Sequence, residues 1–229
     1  MENLKDQVVL VTGASSGFGM LTARKIVNLG GKVILGARRE EKLKELSDEL
    51  GEANVAFAKT DMSVLEEVKN LAKVGMDKFG RIDSLVNNAG VLPRIKQLHE
   101  ISESEWNEVL DVNLNGPFRF TKYSIPYLQK TSGVIINVSS DAGLKAYEGF
   151  NADAYSASKA ALIVLTQCWA LEYAKNKIRV NCVCPGVVNT DMTKPFVKTE
   201  KDREFMDKDH PLGRIGEPDE VAKSILFLA

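Results

Sequence analysis

Short runs of consecutive apolar, mostly β-branched residues recur along this chain, and longer amphipathic segments separate them. Runs such as Val8-Val9-Leu10-Val11 and Val134-Ile135-Ile136 present no polar residue to either face of a strand. A strand that is apolar on both faces is typical of a parallel sheet covered by helices on both sides. The repeated alternation of strand and helix therefore predicts an α/β, doubly wound fold with right-handed crossovers.

The periodicity of the apolar residues predicts where these elements lie. We expect strands at Gln7–Thr12, Lys32–Leu35, Val55–Ala58, Ile82–Val86, Gly133–Val138 and Ile178–Val183. We expect helices at Phe18–Leu29, Glu40–Leu50, Ser63–Phe79, Glu103–Val109, Val112–Lys130, Asp153–Lys175 and Pro218–Ala229. Because no linker or shift in composition interrupts the pattern, residues 1–229 are predicted to form a single domain.

Composition excludes several classes of function. The chain has 30 basic and 31 acidic residues, with the two signs interspersed, so no stretch predicts a nucleic-acid footprint. No apolar run approaches the roughly 18 residues that a membrane span needs. The polar N-terminal segment predicts no secretion signal, and three cysteines in such a chain suggest reduced thiols and a cytoplasmic protein. These cysteines and two histidines are too scattered to predict a metal site.

A glycine-rich segment lies between the first predicted strand and the first predicted helix. It reads Thr12-Gly13-Ala14-Ser15-Ser16-Gly17-Phe18-Gly19. Glycines let the backbone turn sharply and let a pyrophosphate approach the main chain. The helix that follows offers N–H groups and a positive dipole end to an anion. A plain tight turn would need one glycine rather than three, so the segment predicts a dinucleotide-binding loop.

Five further motifs follow in order along the chain. They are Asn87-Asn88-Ala89-Gly90, Asn113 within Asp-Val-Asn-Leu-Asn-Gly, Ser139-Ser140-Asp141-Ala142-Gly143, Tyr155-Ser156-Ala157-Ser158-Lys159 and Pro185-Gly186. In these motifs the sequence resembles the short-chain dehydrogenase/reductase family, including its 3-oxoacyl-(acyl-carrier-protein) reductases and bacterial hydroxysteroid dehydrogenases. The resemblance implies a Rossmann sheet and a nicotinamide-dependent oxidoreductase that acts on a ketone or a secondary alcohol.

Tyr155 and Lys159 are four residues apart on a predicted helix, so their side chains project from one face. An ammonium group beside a phenol favours the phenolate, and we expect Lys159 to lower a tyrosine pKa that is ordinarily about 10. That change would let Tyr155 serve as an acid and base near neutral pH. A hydroxyl at the carboxyl end of a parallel strand, where the sites of α/β proteins lie, could bond the substrate oxygen.

The resemblance assigns a role to each of these groups. It implies that Tyr155 gives the proton to the carbonyl and that Lys159 holds the nicotinamide ribose and tunes the tyrosine. It implies that Ser140 orients the substrate oxygen and that Asn113 helps to organise a water-linked proton relay. The family pattern Ser-x-x-Gly selects Ser140 rather than Ser139, because a glycine lies three residues after Ser140.

The resemblance also implies a set of cofactor contacts. Besides Tyr155 and Lys159, they are Gly13, Ser15, Ser16, Gly17, Phe18, Gly19, Arg38, Arg39, Asp61, Met62, Asn88, Ala89, Gly90, Pro185, Gly186, Val188 and Thr190. Asp61 resembles an acid that contacts the adenine, but it could equally cap the helix that follows Met62. Asn87 is more readily explained as a brace between strands than as a reacting group.

The end of the second predicted strand indicates which dinucleotide binds. A fold of this kind that prefers NAD usually places an acid there, on the ribose hydroxyls. Here Ala37 occupies that position, and Arg38 and Arg39 follow it. A guanidinium suits a 2′-phosphate bidentately, so the sequence predicts NADP(H) with Arg38 on the phosphate. Arg39 is expected to add a weaker contact, to stack on the adenine, or to stay solvated at the start of the next helix.

Residues 187–213 are predicted to form a substrate loop. Its apolar side chains could line a pocket for a hydrophobic ketone or could pack the loop down; they are Met192, Phe196, Val197, Phe205 and Met206. The resemblance implies a 3-oxoacyl thioester or a hydroxysteroid as the substrate. The rival hypothesis is a non-catalytic NADP-binding regulatory protein on the same fold. Such a protein would be expected to lose Tyr155 or Lys159, and this chain keeps both.

Two predicted helices, Asp153–Lys175 and the one from Val112, carry a wider apolar arc than a sheet-facing stripe needs. This predicts a homodimer or homotetramer, unless the extra surface meets other parts of the same chain. The family also places a seventh strand and a glycine-rich tail after the segment that matches Ile225–Ala229. Since the sequence stops at Ala229, that strand is absent, and we expect a truncated chain with an unpaired sheet edge.

Overall fold

Six short strands form the centre of the molecule. The computed structural model describes residues 3–208 and 210–229, and in them the strands are β1 (Val8–Thr12), β2 (Lys32–Ala37), β3 (Val55–Lys59), β4 (Ser84–Asn87), β5 (Val134–Val138) and β6 (Arg179–Val183). They pair in parallel in the order β3-β2-β1-β4-β5-β6. This confirms the predicted α/β, doubly wound fold. Met1 and Glu2 of the polar N-terminal segment, and Asp209 of the predicted substrate loop, lie outside the described residues.

Helices cover both faces of this sheet. They are α1 (Gly17–Asn28), α2 (Glu40–Leu50), α3 (Leu65–Phe79), α4 (Glu103–Leu110), α5 (Gly116–Thr131), α6 (Asp153–Tyr173), α7 (Glu200–Lys208) and α8 (Pro218–Leu228). Helices α1, α2 and α8 pack on one face, and α3, α5 and α6 pack on the other. None of the helices in the described ranges is both long enough and apolar enough to cross a membrane.

The strands are apolar on consecutive residues because each face of the sheet meets its own core. Val9 and Val11 of β1 join the core under α1 and α8, whereas Leu10 joins the core under α3 and α5. Leu10 and Phe120 are fully buried there. Burying an aliphatic or aromatic side chain of this size contributes about 1.5–3 kcal/mol. The two cores hold the sheet rigid, and its carboxyl edge is therefore a stable platform for loops.

Strand β4 begins at Ser84, two residues later than predicted, because a side chain takes part in the ladder. The Asp83 carboxylate accepts the backbone N–H of Val8 at 2.8 Å, and the Asp83 N–H is donated to the Val8 carbonyl, also at 2.8 Å. Arg81 donates to the same carboxylate at 2.6 Å. The side chain therefore replaces a backbone carbonyl in pairing β1 with β4, and regular pairing begins one residue further on.

The two helices predicted at Glu103–Val109 and Val112–Lys130 are one continuous helical segment. A π-helical turn, Asp111–Asn115, connects α4 to α5, and the N–H of Gly116 bonds to the Asp111 carbonyl. Pro117 follows, and it lacks the N–H that an α-helix would direct at the carbonyl of Asn113. π-Turns are frequent at functional sites. Sequence periodicity alone shows such a turn as a break between helices.

Helix α7 lies inside the predicted substrate loop and was missed in the sequence. Its start is fixed by a reciprocal pair: Thr199 Oγ1 accepts the Asp202 N–H at 3.1 Å, and the Asp202 carboxylate accepts the Thr199 N–H at 2.8 Å. The spacing Thr-x-x-Asp is a capping-box pattern. This signal was present in the sequence, but the helix that follows it is rich in charge and has no clear apolar stripe.

Candidate active site

The loop after β1 approaches the loop after β4 so closely that only glycine fits at position 13. Gly13 has a φ of +67°, and a Cβ on it would lie 2.8 Å from Ala89 Cα and 2.9 Å from Asn88 Nδ2. Thr12 Oγ1 accepts the N–H groups of Asn88 and Ala89, both at 3.0 Å. The Asn88 amide donates to the Thr12 carbonyl at 2.8 Å. These bonds fix the crevice where the strand order reverses, which is where doubly wound sheets bind ligands.

Helix α1 begins at Gly17, at this crevice. In the described part of the chain no side chain caps its first turn, and that turn has no acidic residue. Its N–H groups and its dipole are therefore available to an anion such as a pyrophosphate. The predicted loop contacts that border the cleft are Gly13, Ser15, Ser16, Gly17 and Phe18. Gly19 is buried behind them, where a Cβ would lie 2.6 Å from the Gly13 carbonyl.

Two exposed arginines after β2 border the same end of the cleft. The Arg39 guanidinium donates to Ser15 Oγ at 3.0 Å and to Ser16 Oγ at 2.8 Å, so it is tied to the glycine-rich loop. Arg38 lies near Asp61, and its charge helps to lower the pKa of that carboxyl. The sequence predicted that Arg38, rather than Arg39, makes the main contact with a 2′-phosphate. The structure, in contrast, brings Arg39 into direct contact with the loop.

Asp61 follows β3, borders the cleft and bonds to Ser63, but it does not cap α3, whose N-cap is Val64. Met62 also borders the cleft, and the Asp61 carboxylate accepts the N–H of Ser63 at 2.9 Å and the Ser63 hydroxyl at 2.6 Å. Burial alone would raise the pKa of Asp61, but the hydrogen bonds from Ser63 and the charges of Arg38 and Lys59 lower it. The hydrogen bonds with Ser63 therefore fix the turn before α3, which begins at Leu65 rather than at Ser63 as predicted.

Ser140, Tyr155 and Lys159 come together at the carboxyl end of β5. Lys159 Nζ donates to the Val138 carbonyl at 2.8 Å and lies 5.7 Å from the centre of the Tyr155 ring. The Ser140 hydroxyl is close enough to Tyr155 for hydrogen bonding to oppose the rise in the tyrosine pKa. The Ser139 hydroxyl instead donates to the Lys159 carbonyl at 2.7 Å. Ser140 therefore faces the tyrosine, whereas Ser139 bonds to the backbone of α6.

Burial dominates the electrostatics of this trio. It raises the pKa of Tyr155, an effect that the Ser140 hydrogen bond opposes and the charge of Asp141 reinforces. It lowers the pKa of Lys159 to about 8, an effect that the nearby Cys182 and Cys184 side chains oppose only in part. The expected lowering of the tyrosine pKa is therefore not found, because desolvation of the phenolate outweighs the distant ammonium group.

Asn113 sits in the π-helical turn and is fully buried behind the cleft wall. Its Oδ1 accepts the Val91 N–H at 2.8 Å, and its Nδ2 donates to the Val91 carbonyl at 2.9 Å. A Cβ on Gly90 would lie 3.4 Å from both Asn113 Oδ1 and Lys159 Nζ. The side chain of Asn113 therefore braces the loop after β4, with the Lys159 ammonium group on the same side of Gly90. Asn87 also braces, donating to Asn137 on β5 at 2.8 Å as expected.

The segment after β6 forms the far wall of the cleft. Pro185, Gly186, Val188 and Thr190 border it, together with Asn88, Ala89 and Gly90 on the opposite side. Cys182 and Cys184 lie on one face of β6 and its extension, with their sulfur atoms 3.8 Å apart. Burial raises the pKa of the Cys184 thiol to about 12. The Cys184 thiol therefore stays protonated at neutral pH.

Sequence reasoning missed three polar side chains in this region. Asp141 lies next to Ser140, whose hydroxyl donates to Asp141 Oδ1 at 3.2 Å, and the Tyr147 hydroxyl bonds to Asp141 Oδ2. His210 reaches the same wall from the predicted substrate loop. Asp141 lies within the Ser139–Gly143 motif, and Tyr147 lies in the loop between that motif and α6. Nothing in the local sequence pointed to His210, because its position at the cleft wall depends on how the predicted substrate loop folds back.

One continuous cleft of about 1240 Å³ is bordered by the glycine-rich loop, both arginines, the Ser140–Tyr155–Lys159 trio and the segment after β6. That volume exceeds the roughly 300–1,000 Å³ of ordinary small-molecule pockets, so it accommodates a dinucleotide and a further small molecule. One end offers an anion site and two guanidinium groups, and the other offers Ser140 and Tyr155 beside Lys159. Among the described residues, no cluster of three or more His, Cys, Asp or Glu side chains is placed to hold a metal. The arrangement suits transfer of a proton to a substrate oxygen beside a bound dinucleotide.

Comparison with known proteins identifies the class to which this site belongs. The chain is an oxidoreductase that acts on CH–OH groups. More particularly, it belongs to the short-chain dehydrogenase family, whose model matches residues 7–201. Members of the family bind a nicotinamide cofactor, and the Gly13 crevice, the uncapped start of α1 and the paired arginines fit such a dinucleotide.

Similar proteins span nearly the whole chain. A 3-oxoacyl-(acyl-carrier-protein) reductase of Thermotoga maritima is 41% identical, over 99% of this chain and 91% of the relative. A cyclohexanol dehydrogenase of Acinetobacter sp. is 36% identical, over 97% of this chain and 87% of the relative. The crystal structure of a glucose/ribitol-type short-chain dehydrogenase/reductase from Brucella melitensis matches with a TM-score of 0.91 and 31% identity, over 99% of this chain and 90% of that one.

Because Lys159 is buried, we expect the stability of the protein to depend on pH in a defined window. The lysine pKa is about 8 in the folded chain and 10.5 when unperturbed. Between these values the unfolded chain binds more protons, so the contribution of Lys159 to stability rises with pH there. The free energy of unfolding of the wild type minus that of Lys159→Met should rise by on the order of 2–3 kcal/mol across the window.

Urea unfolding of both proteins at several pH values between about 7 and about 10 measures this difference. Subtraction removes the titrations that the two proteins share. A difference that stays constant with pH would show that Lys159 is not desolvated as the structure indicates.

Proposed function

We propose that this protein is an NADP(H)-dependent oxidoreductase that moves a hydride reversibly between the nicotinamide and a ketone or secondary alcohol. The observation that carries the proposal is the meeting of Ser140, Tyr155 and Lys159 at the carboxyl end of β5, in the same cleft as the glycine-rich loop. A regulatory protein that only binds the dinucleotide would not need an acid and its partners at that place. The retention of Tyr155 and Lys159 therefore favours the enzyme.

In the proposed reaction the protein positions the carbonyl and delivers a proton. When bound, NADPH supplies the hydride to the carbonyl carbon and is left as NADP⁺. The Tyr155 hydroxyl donates its proton to the carbonyl oxygen, and Ser140 hydrogen-bonds that oxygen and orients it. Carbonyl, hydride and proton together give the secondary alcohol. The raised pKa of Tyr155 in the free site keeps the phenol protonated at neutral pH, which is the form that carbonyl reduction needs.

We propose that Lys159 adjusts the proton affinity of Tyr155 and that Asn113 helps to return a proton to the tyrosine. The Lys159 ammonium group, held by the Val138 carbonyl, is positioned to bond the nicotinamide ribose and to stabilise the phenolate once the proton has left. Pro117 provides no N–H to the carbonyl of Asn113, which supports a role for that carbonyl in holding a relay water. The Asn113 side chain supports the same geometry by bracing Val91.

The basic end of the cleft supports the choice of NADP(H) over NAD(H). The carboxylate that would bond ribose hydroxyls is replaced by Ala37, and two guanidinium groups stand beside it. The Arg39 guanidinium already donates hydrogen bonds to the Ser15 and Ser16 hydroxyls. A 2′-phosphate bound there would therefore meet hydrogen-bond donors that are already in position. Arg38 is proposed to complete the phosphate site from the side of Asp61.

Resemblance to 3-oxoacyl reductases makes a 3-oxoacyl thioester one proposed substrate, and a hydroxysteroid is the other. The loop 187–213 is the proposed substrate loop within one domain spanning residues 1–229. Its side chains Met192, Phe196, Phe205 and Met206 border the cleft, and so do Tyr147 and Phe150 on the facing loop. Such a wall suits an apolar tail beside the reacting carbonyl. We further propose a cytoplasmic protein.

A homodimer or homotetramer is proposed from the outer faces of α5 and α6. Leu171 is 82% exposed and Val164 57% exposed on α6, while Phe118 is 47% exposed on α5. Leu162 and Trp169, in contrast, are buried against the sheet. The wide apolar arc on α6 is therefore only partly used within the chain, which supports a partner copy on the remainder.

Replacing Tyr155 with Phe should lower kcat by about 100- to 10,000-fold, because the proton donor is lost. NADPH binding should stay within several-fold of the wild type, since the ring is kept. Steady-state reduction of a ketone panel and fluorescence titration of NADPH measure the two effects. Tyr127→Phe, on α5 outside the cleft, is the control and should keep wild-type turnover. If Tyr155→Phe retained more than a tenth of kcat, the tyrosine would not be the acid.

The wild type should prefer NADPH to NADH by on the order of ten- to a hundredfold in kcat/KM, nearer the lower value because the site is exposed. Arg38→Gln and Arg39→Gln should each reduce that ratio several-fold. Combining Ala37→Asp with Arg38→Gln should invert it, since the acid repels the phosphate and bonds the free hydroxyl. Arg94→Gln, an exposed arginine elsewhere, should leave the ratio unchanged. Equal kcat/KM for the two cofactors in the wild type would refute the assignment.

Light scattering at micromolar concentration should give the mass of a dimer or tetramer. The double variant Val164→Glu with Leu171→Glu should lower that mass, because it places charge in the proposed contact. Leu98→Glu, at an exposed leucine outside α5 and α6, should not. A monomeric wild type would end the proposal and would leave these side chains as ordinary exposed apolar residues.

A further inference from the structure

The carboxylate of Asp141 stands beside the catalytic hydroxyl and has no role in the proton transfer proposed above. Its Oδ1 accepts the Ser140 hydroxyl at 3.2 Å, and its Oδ2 accepts the Tyr147 hydroxyl. The Asp141 N–H donates to the Pro185 carbonyl at 3.0 Å, which fixes the backbone. The charge is therefore held in place at the cleft wall, within hydrogen-bonding distance of the group that orients the substrate oxygen.

A second acceptor converges on the same space from the substrate loop. His210 Nδ1 lies 2.7 Å from the Met206 carbonyl, which can only accept, so in the neutral ring the proton is on Nδ1 and Nε2 is an acceptor. A Cβ on Gly186 would lie 3.2 Å from Asp141 Oδ2 and 3.5 Å from His210 Nε2. Glycine at 186 thus leaves open a small space bordered by two acceptors. A group that fits there is a hydrogen-bond donor.

We propose that Asp141 binds a hydroxyl group on the carbon next to the reacting carbonyl, so that the substrate is an α-hydroxy ketone and its reduced product a vicinal diol. This inference rests on the proposed function of the Ser140–Tyr155 site and, among ketones and secondary alcohols, favours an α-hydroxy ketone over the 3-oxoacyl thioester, whose neighbouring carbon carries no hydroxyl. Asp141 is then a specificity-determining residue. It stabilises one substituent of the substrate while Tyr155 and Ser140 act on the carbonyl oxygen.

The separations between oxygen atoms in the site fit such a substrate. Two oxygens on adjacent carbons can lie about as far apart as two hydrogen-bonded oxygens. The Ser140 hydroxyl and Asp141 Oδ1 are separated by a similar distance, 3.2 Å. A carbonyl oxygen that accepts the Ser140 proton therefore places the neighbouring hydroxyl beside the Asp141 carboxylate. The substrate hydroxyl then replaces Ser140 as a donor to that carboxylate, which a simple ketone cannot do.

The charges nearby favour a neutral hydroxyl over an ionised substituent. An anion next to the carbonyl would be repelled by the Asp141 carboxylate. A cation would meet two ammonium groups, because Lys145 Nζ lies 4.5 Å from the centre of the Tyr147 ring and Lys159 Nζ lies 5.7 Å from that of Tyr155. An apolar substituent would leave the carboxylate desolvated without a new partner, which is costly. A hydroxyl avoids all three penalties.

A matched pair of ketones tests the inference directly. NADPH oxidation is measured with 3-hydroxybutan-2-one and with butan-2-one, which differ only in the hydroxyl group. The wild type should favour the hydroxy ketone by about ten- to a hundredfold in kcat/KM, as expected for a hydrogen bond to a charged acceptor. Asp141→Ala should bring the ratio to within about threefold of unity, and Asp141→Asn, which keeps one acceptor oxygen, should give an intermediate ratio. Glu148→Gln removes an acid from the rim of the same cleft and should keep the wild-type ratio.

Each outcome decides the matter. A wild-type ratio near one, or the wild-type ratio in Asp141→Ala, would overturn the inference and leave the proposed function standing. If neither ketone were reduced, the proposed function would fail separately. Binding is then decided by thermal shift of the wild type with NADP⁺ and either butane-2,3-diol or butan-2-ol. Stronger stabilisation by the diol supports the inference, and equal stabilisation overturns it. This last measurement also serves if the Asp141 variants do not fold.

Discussion

The contact between the ends of β1 and β4 is the constraint on which the site depends. Thr12 bonds two N–H groups of the loop after β4, and Gly13 leaves no space for a side chain between the loops. The crevice exists because the chain returns to the opposite side of β1 when it forms β4. Every other element brings its functional residues to this crevice, since the carboxyl ends of all six strands lie along the same edge.

Burial determines the chemistry at the far end of the crevice. An ammonium group and a phenol are both removed from water there, and each is shifted toward its neutral form. In the proposed reaction, the pair would therefore be set for proton donation before any ligand arrives. Reversal of that reaction would require the ionised tyrosine, and charges brought with the ligands would have to offset the cost of ionising it. The packing of α6 on the sheet buries Tyr155 and Lys159 and so sets the direction of their pKa shifts. In the proposed reaction, these shifts favour proton donation to a carbonyl.

Much of this organisation could be predicted from the sequence, because it depends on local patterns. Six apolar runs predicted six strands to within two residues, and the glycine spacing predicted the sharp turn between β1 and α1. Side chains that act outside such patterns could not be predicted. The Asp83 side chain takes part in the ladder between β1 and β4 through a contact between residues that are distant in sequence. The Asp111–Asn115 turn joins two helices through contacts between adjacent elements. The tyrosine pKa was expected to fall, since pair spacing shows the nearby charge but not the depth of burial.

The site residues show the same division. Spacing placed Tyr155 and Lys159 on one helix face, and the resemblance to the family implied that Ser140 joins them. His210 reaches the cleft wall only through the folding of a long loop. Arg38 and Arg39 are adjacent, and only the path of the chain after β2 determines which of them meets the glycine-rich loop. Thr199 and Asp202 carried a readable capping signal for α7, which the charged composition of that helix obscured.

The bonds from Arg39 to Ser15 and Ser16 have a consequence for how a cofactor would be captured. A free arginine side chain loses rotamer freedom when it clamps a phosphate, which subtracts from affinity. Here much of that freedom is already lost on folding, so the guanidinium group is preorganised. The same hydroxyls that hold it would have to be shared with an incoming phosphate. Entry of the ligand therefore exchanges one set of charge-assisted hydrogen bonds for another, and net affinity reflects the difference between them rather than their sum.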